Sequence, residues 1–285
     1  MATEPLPFCD PALVRGTLYA SADRLARRTD ALHRAKTAGP HAAHTLTELA
    51  EQALGDRSVS TAVDIGCGRG TTSLVVAERL SPASMTLLDV SAALLAVARE
   101  RLRTRPVRVG YVRADFHDIP VRDGACQVAV AAFCLYHSPR PGVVIGEIER
   151  CLAPGGIAIL ATKSVDSYRD LDQLLAASGL DPHATTRPSL YVTAHSGNIE
   201  ELARRSLTVE RVRHEEHSFR FEEFTHLAEY LATSPKYHLP DSVRGPAVRL
   251  ATALRRRLPE APVTATSTVT YLIATKPSIN RGVDW

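Results

Sequence analysis

The sequence has no long apolar run. A helix that crosses a membrane needs about 18 consecutive apolar residues, and the N-terminal stretch MATEPLPFCD has no basic region ahead of an apolar one. Hydrophobic residues make up 45% of the chain and charged residues 23%, which is ordinary for a soluble globular protein. We therefore expect a cytoplasmic protein without a membrane partner.

Cysteine is scarce, and its spacing has no recognisable pattern. The five cysteines form no C-x-x-C pair, so we expect neither disulfides nor a zinc site, and we predict no other metal site. Cys67 lies inside a glycine-rich turn with no base among its neighbours, which indicates a small packing residue and not a nucleophile. The other four are Cys9, Cys126, Cys134 and Cys151.

A strong excess of positive charge is also absent. The net charge is only +3 and the isoelectric point is near 8.6, whereas enzymes of nucleic acids usually carry a basic excess or a basic stripe. The one basic run, at residues 255–257, fits the solvated face of an amphipathic helix. We therefore expect no nucleic-acid partner.

The most informative stretch is VDIGCGRG, at residues 63–70. A strand pattern precedes it and a helix pattern follows it, so Gly66, Gly68 and Gly70 lie in the turn between them. Glycine lets the backbone turn sharply and approach a ligand closely, and the helix start offers free N–H groups. A dinucleotide-binding turn would need its third glycine where Thr71 stands. The spacing therefore disfavours NAD.

Strand patterns alternate with helix patterns along most of the chain. Most of the strands are apolar throughout, which is typical of a parallel sheet covered on both faces. We therefore predict an α/β fold of the Rossmann-like, doubly wound kind, with a mostly parallel seven-stranded sheet. The predicted strands are residues 61–65, 85–90, 107–112, 126–135, 157–162, 207–221 and 264–275.

The remaining segments define the predicted domain organisation. We assign residues 1–54, which read as two helices, to an N-terminal cap, residues 55–277 to the main domain and residues 278–285 to a tail. The alternation is interrupted at about 164–197 and at about 222–261. Because such insertions at one end of a parallel sheet usually serve the site, we expect them to form a lid there.

Two acids follow predicted strands at the edge where open α/β sheets bind ligands. Asp89 comes 21 residues after Gly68, and its carboxylate can accept hydrogen bonds from two ribose hydroxyls. It could instead cap the following helix, as could Ser91. Asp115 can accept the exocyclic N–H of an adenine, with Phe116 against the ring face.

Several of these stretches resemble one enzyme family. The pattern D-x-G-x-G-x-G that begins at Asp64 resembles the first motif of class I S-adenosylmethionine-dependent methyltransferases. The stretches FCLYHSPRP, at 133–141, and ERCLAPGGIAIL, at 149–160, resemble two segments of the small-molecule methyltransferases related to the ubiquinone C-methyltransferases, the methyltransferase type 11 domain. These segments are the exit of the fourth strand and the L-x-P-G-G turn.

The resemblance extends over roughly residues 17–165, because LYASADRLARRTDALHRA looks like the cap of an uncharacterised branch of that group. One departure is visible. The fourth strand of the family usually begins with an aromatic residue and an aspartate, and this chain has Cys126 and Gln127. The substitution puts a structural hydrogen bond in doubt and leaves the opposite end of that strand unaffected.

The resemblance implies S-adenosylmethionine as the cofactor and S-adenosylhomocysteine as the product. It also implies which positions surround each part of the cofactor. These are Asp64, Gly66, Cys67 and Gly68 for the methionine part, Asp89 for the ribose, Val90, Asp115 and Phe116 for the adenine, the backbone of Phe133 for the amino group, and Tyr19 with Arg28 for the carboxylate.

Methyl transfer asks little chemistry of the protein, because the sulfonium is already activated. His137 lies just past the predicted fourth strand, beside Tyr136, and is the candidate general base. A histidine there could equally cap or pack. Tyr237 and His238, in the second insertion, are candidate contacts for the acceptor.

The sequence therefore favours a methyltransferase that acts on a small molecule through O, N or C, in a bacterial specialised pathway, as a monomer or a homodimer. An RNA or protein methyltransferase would need a basic face or an added binding module. A protein that keeps the cofactor fold without methylating, such as a cyclase or a regulatory subunit, stays open. An NAD dehydrogenase is disfavoured by the glycine spacing.

Overall fold

The structure, a computed structural model, describes residues 6–277. The predicted tail at 278–285 and the first five residues of the predicted cap lie outside the described residues. The strands are β1 Lys36–Ala38, β2 Thr61–Ile65, β3 Ser84–Asp89, β4 Arg108–Arg113, β5 Cys126–Ala132, β6 Leu152–Lys163, β7 Thr208–Phe221 and β8 Val263–Thr275.

Helices connect most of the strands. A short helical turn, α1, precedes the longer helices, and 3-10 turns occur at Leu135–His137 and Asp241–Val243. The helices are α1 Pro11–Leu13, α2 Ala22–Ala35, α3 Ala42–Leu54, α4 Thr71–Arg79, α5 Ala92–Leu102, α6 Pro141–Cys151, α7 Arg169–Ala177, α8 Ile199–Arg204, α9 Phe224–Leu231 and α10 Ala247–Arg255.

The strands form one sheet in the order β1-β7-β8-β6-β5-β2-β3-β4. Parallel pairing joins β4 to β3, β3 to β2, β2 to β5 and β5 to β6, with Asp64 of β2 opposite Leu87 of β3 and Val130 of β5. The predicted doubly wound α/β architecture is confirmed. The predicted count of seven strands is wrong, because the three-residue β1 pairs antiparallel with β7. A segment as short and polar as Lys36–Ala38 has no alternation pattern to reveal it.

The chain divides into two compact units. We call one the core unit, which consists of His41–Thr162, Thr193–His214 and the described residues from Thr270 onwards. We call the other the insertion unit, which consists of the described residues up to Pro40 together with Lys163–Val192 and Glu215–Val269. The strands β7 and β8 contribute residues to both.

The core unit is built on the central parallel strands. Val128, Ala129 and Val130 of β5 are fully buried, as is the run from Ile157 to Leu160 in β6. Continuous apolar strands of this kind are expected where helices cover both faces of a sheet. The helix α3 packs against α4 and belongs to this unit, although the sequence placed it in an N-terminal cap together with α2.

The insertion unit joins three segments that are distant in the sequence. His226 of α9 lies 2.9 Å from the carbonyl oxygen of Ala31 in α2, so the N-terminal helix packs on the second insertion. The ring of Tyr168, from the first insertion, lies 5.5 Å from that of Phe219 and 5.6 Å from that of Tyr230. Helix α2 and parts of both predicted insertions therefore share one apolar core.

The structure also bears on partners and metals. Among the described residues, no helix combines the length and the apolar character that a membrane crossing requires. Within the same part of the chain, histidine, cysteine and acidic side chains do not gather in groups of three or more that could hold a metal ion. All five cysteines are free thiols.

Candidate functional site

In the core unit, the glycine turn after β2 requires its glycines. Gly66, Gly68 and Gly70 have φ values of 64°, 56° and 71°, in the left-handed region that other residues rarely adopt. A Cβ on Gly66 would lie 2.6 Å from the Cβ of Cys134, and one on Gly70 would lie 2.9 Å from the Cβ of Ala98. The turn therefore packs too closely on Cys134, which follows β5, and on Ala98 of α5 for any side chain at these two positions.

Asp89, at the end of β3, holds the glycine turn in place. Its Oδ2 accepts a hydrogen bond from the Gly68 N–H and its Oδ1 accepts one from the Ser91 N–H, each at 2.9 Å. Burial raises the pKa of Asp89, and the hydrogen bonds from these backbone groups oppose the rise. Ser91 is the residue that caps α5, through a 3.2 Å bond from the Leu94 N–H to its Oγ. Asp89 therefore serves the turn, while the helix has its own cap.

Asp64 lies beneath the turn and is only 1% exposed. Its Oδ2 accepts a hydrogen bond of 2.5 Å from the Oγ of Ser73 in α4. Burial raises the pKa of Asp64 to about 7, although the bond from Ser73 opposes the rise and the charge of Asp89 adds to it. The carboxyl group thus braces β2 against α4.

Cys67 is a buried thiol within the same turn. Burial, together with the nearby acids Asp64 and Asp89, raises the pKa of the thiol well above its ordinary value. A thiol that stays protonated is a poor nucleophile. The Cys67 N–H donates to the carbonyl of Leu88 at 3.0 Å, which ties the turn to β3. The residue behaves as the small packing side chain that the sequence indicated.

The loop after β4 carries a chain of hydrogen bonds from Asp115 through His117 to Ser138, which the sequence did not reveal. The Oδ1 of Asp115 lies 2.7 Å from the Nδ1 of His117 and accepts the His117 N–H at 3.0 Å. The Nε2 of His117 lies 2.7 Å from the Oγ of Ser138, a fully buried residue after β5. Phe116 is half-buried, and its ring centroid lies 4.8 Å from that of His117. This chain of hydrogen bonds ties the loop with the predicted adenine contacts to the segment that follows β5. The only sequence signal was the D-x-H spacing of an Asx turn.

The exit of β5 is conformationally strained. Phe133 has a φ of 59°, and its N–H donates to the carbonyl of Ala161 at 2.8 Å. A left-handed non-glycine residue costs roughly 1–3 kcal/mol and is concentrated at functional sites. The following 3-10 turn brings the rings of Tyr136 and His137 to 5.0 Å. Tyr136 is buried, and His137 is half-buried.

In the insertion unit, the structure brings together Tyr19 and Arg28. An Nη of Arg28 donates to the hydroxyl of Tyr19 at 3.4 Å, and the guanidinium lies over the ring of Phe8, 5.5 Å from its centroid. Burial acts to lower the pKa of Arg28, and the neighbouring Tyr19 and Tyr230 outweigh this and raise it. The guanidinium therefore stays charged.

The candidate acceptor contacts also lie in the insertion unit. The hydroxyl of Tyr237 donates to Oδ1 of Asp172 at 3.1 Å, and the Nζ of Lys236 lies 2.6 Å from Oδ2 of the same carboxylate. Burial raises the pKa of Asp172, and the bond from Lys236 opposes the rise. His238 is exposed, and its backbone N–H donates to Asp181 at 2.9 Å.

Comparison with known proteins agrees with the geometry of the core unit. Residues 63–160 match a family model described as a methyltransferase domain. A malonyl-(acyl-carrier protein) O-methyltransferase of Marinomonas sp. is 31% identical over 119 residues, which are 42% of this chain and 43% of that protein. A demethylmenaquinone methyltransferase of Thermus thermophilus is 32% identical over 94 residues, which are 33% of this chain and 43% of that protein. The chain thus matches less than half the length of either relative.

Solved structures share the fold over most of this chain. The YcgJ protein of Bacillus subtilis superposes with a TM-score of 0.57 at 13% identity, covering 82% of this chain and 99% of that one. The 4+2 cyclase SpnF superposes with a TM-score of 0.52 at 20% identity, covering 83% of this chain and 81% of that one. At such low identity the likeness shows the fold alone.

Proposed function

We propose that this chain, whose residues 63–160 match a family model of a methyltransferase domain, is a class I S-adenosylmethionine-dependent methyltransferase that transfers a methyl group to a small-molecule acceptor. The observation that carries the proposal is the pairing of the glycine turn with Asp89. The turn is closed by left-handed glycines, and the acid stands at the carboxyl end of the neighbouring strand. This is the edge at which open α/β sheets bind nucleotide ligands.

The donor set at this edge suits S-adenosylmethionine. Each oxygen of an ionised carboxylate can accept more than one hydrogen bond. Asp89 can therefore hold the Gly68 and Ser91 N–H groups and also accept two ribose hydroxyls. Val90, Asp115 and Phe116 would surround the adenine, as the resemblance implies. Asp64, Gly66, Cys67 and Gly68 would line the methionine part, with Asp64 acting through its support of the turn.

The amino acid end of the cofactor offers an ammonium and a carboxylate. In this proposal the backbone carbonyl of Phe133 accepts from the ammonium, and the strain at this residue supports a functional role. Arg28, held by Tyr19, binds the carboxylate. When bound, the cofactor supplies a methyl group already activated by a sulfonium.

The chain's own residues would align the acceptor and accept a proton from it. His137 is half-buried at the exit of β5, and in this proposal it removes the proton from the acceptor atom. Tyr136, whose ring contacts that of His137, fixes the orientation of the imidazole. Tyr237 and His238 would contact the body of the acceptor, and the buried carboxylate of Asp172 holds Tyr237 in one orientation.

One relative supports a small-molecule acceptor through its name, which specifies demethylmenaquinone. A role in bacterial specialised metabolism is part of the same proposal. The cyclase among the solved structures shows that a protein of this fold can catalyse a reaction other than methyl transfer, which is the second candidate function. Binding of the cofactor and transfer of its methyl group therefore need separate tests.

Isothermal titration calorimetry with S-adenosylhomocysteine and with NAD tests the cofactor. We expect the full chain to bind S-adenosylhomocysteine and not NAD, because the third glycine comes one residue too early for a dinucleotide turn. Binding of NAD without binding of S-adenosylhomocysteine would overturn the proposed function. The exposed-loop variant Asp118→Ala serves as a control and should bind as the natural chain does.

A further inference from the structure

Lys163 is the last residue of β6, and its amino group lies among aromatic side chains of the insertion unit. Its Nζ lies 2.6 Å from the hydroxyl of Tyr168 and 4.7 Å from the centroid of that ring. The centroid of the Tyr191 ring lies 5.7 Å away. Lys163 is half-buried, whereas both tyrosines are buried. An amino group in such surroundings has exchanged much of its hydration for hydroxyls and ring faces.

Tyr168 is held in a conformation that other residues of the chain largely avoid. Its φ is 66°, which makes it one of three described non-glycine residues in the left-handed region. Such a conformation is energetically unfavourable and persists where the surroundings impose it. The ring of Tyr168 packs against Phe219 and Tyr230, so the hydroxyl is fixed beside Lys163. An observed outlier of this kind points to a function for the group that it presents.

A second cation belongs to the same cluster. Phe8 connects the two, because its ring lies 6.4 Å from that of Tyr191 and also beneath the guanidinium of Arg28. Burial lowers the pKa of Lys163, Tyr191 opposes this, and the charge of Arg28 lowers the pKa further. The hydroxyls of tyrosine are uncharged at neutral pH. Neutral tyrosine hydroxyls do not cancel the positive charge of an ammonium or a guanidinium.

We infer that Lys163 and the hydroxyl of Tyr168 bind a carboxylate of the acceptor, with Tyr191 against its apolar body. The inference rests on the proposed function, because the ligand is the acceptor of that reaction. An ammonium and one hydroxyl offer hydrogen-bond donors to the two oxygens of a carboxylate. A phosphate dianion has more oxygens and more charge, and it needs more donors than these. The acceptor is accordingly an organic acid with an apolar or aromatic body.

Calorimetry with model ligands tests this on the full chain saturated with S-adenosylhomocysteine. Benzoate is the probe, benzamide is its neutral counterpart of the same shape, and inorganic phosphate represents the other anion class. We expect benzoate to bind at least about tenfold more tightly than either, since the charge of a carboxylate strengthens the hydrogen bonds that it accepts. Equal binding of benzamide, or tighter binding of phosphate, would overturn the inference.

A pair of variants separates the two cations. Lys163→Met keeps the length of the side chain and removes its charge, so it should weaken benzoate at least about tenfold and leave S-adenosylhomocysteine unaffected. Arg28→Met should weaken binding of S-adenosylhomocysteine and leave binding of benzoate unaffected. If Lys163→Met instead weakens S-adenosylhomocysteine and spares benzoate, the inference is wrong. If the natural chain does not bind S-adenosylhomocysteine at all, the proposed function fails, and a benzoate titration of the cofactor-free protein still reports on Lys163.

Proton uptake provides a readout that a purely structural lysine would not give. A carboxylate beside Lys163 favours its charged form, so benzoate binding at mildly alkaline pH should take up a proton, seen as a dependence of the heat on the buffer. Lys163→Arg should bind benzoate without uptake, because arginine stays charged. Uptake that persists in Lys163→Arg would assign it to another group. The titratable groups that act on Lys163 or feel its charge are Tyr168, Tyr191, Arg28, Lys36 and His217, with Glu215 beside the last two.

Discussion

At the scale of single residues, the burial of Asp64 makes the stability of the protein depend on pH. Its carboxyl group is 1% exposed and has a pKa of about 7, whereas an aspartate in an unfolded chain has a pKa of about 3.9. The folded protein therefore binds more protons than the unfolded chain between these two values. Stability from this group is fully present below the lower value and is lost as the pH rises towards 7.

We predict that Asp64→Asn removes this pH dependence. In the natural chain, the free energy of unfolding should fall by up to about 4 kcal/mol between pH 4 and pH 8 through this group alone. The amide of asparagine keeps a hydrogen-bonding partner for Ser73 and does not ionise. Urea unfolding at the two pH values measures the difference between the proteins. A variant that loses stability with pH as steeply as the natural chain would contradict the assignment.

Asp89 supports the second residue-scale prediction, which concerns cofactor affinity. Asp89→Ala removes charge-assisted hydrogen bonds to the ribose, each of roughly 1.5–3 kcal/mol before compensation by water. The affinity for S-adenosylhomocysteine should therefore fall at least about tenfold. Asp115→Ala should have a milder effect, because the side chain of Asp115 is 46% exposed.

Ser91→Ala is the matched control for Asp89→Ala. It removes the cap of α5, at a cost of about 1 kcal/mol of stability, and keeps the backbone N–H that Asp89 accepts. Both variants disturb the start of the same helix, and only Asp89→Ala should lose cofactor affinity. Equal affinities in the two variants would mean that Asp89 only supports the turn.

His137 supports a prediction about rate. If the imidazole removes the proton of the acceptor, His137→Ala should lower methyl transfer by about 10²–10⁴-fold and leave the affinity for S-adenosylhomocysteine unchanged. Added imidazole should restore part of the rate, since a free base can enter the space left by the side chain. A rate that stays near that of the natural chain would assign His137 to packing.

At the scale of elements, the glycine turn combines two separate constraints. Gly66 has a positive φ and also lies against Cys134, where a Cβ would come to 2.6 Å. Gly179 has a similar φ of 67°, and a Cβ there would meet no atom within 4 Å. The two positions therefore separate the conformational cost of a side chain from its steric cost.

We predict that Gly66→Ala lowers the melting temperature more than Gly179→Ala does and also abolishes binding of S-adenosylhomocysteine. Gly179→Ala should show only the penalty of a left-handed alanine, of about 1–2 kcal/mol, with cofactor binding intact. Thermal unfolding with and without S-adenosylhomocysteine measures both effects. Similar behaviour of the two variants would show that close packing of the turn is unimportant.

Most elements could be predicted from periodicity, and the exceptions have physical reasons. The strand at Thr61–Ile65 was predicted with the bounds that the structure gives it. The strand predicted at 126–135 is β5, which ends at Ala132 because Phe133 adopts a left-handed conformation that apolar residues do not reveal. The strand predicted at 157–162 is β6, which begins at Leu152 although Pro-Gly-Gly reads as a turn.

At the scale of the whole molecule, the sequence does not reveal that segments far apart in the chain share one apolar core. The N-terminal helix and the segments that contribute Tyr168 and Tyr230 form one compact unit, although they are far apart in the chain. Contacts such as that of Lys163 with Tyr168 depend on a backbone turn of positive φ. Asp181 and Tyr191, both inside the first predicted insertion, are buried.

Transfer of a labelled methyl group tests the central claim most directly. The full chain would be incubated with S-adenosylmethionine labelled in its methyl group and with an extract of the organism that encodes it, separated into metabolite, RNA and protein fractions. Asp89→Ala, which should bind the cofactor poorly, serves as the control. We expect label in an organic acid of the metabolite fraction, strongly reduced with Asp89→Ala. Label in RNA or protein, or label in no fraction while S-adenosylhomocysteine still binds, would contradict a small-molecule methyltransferase.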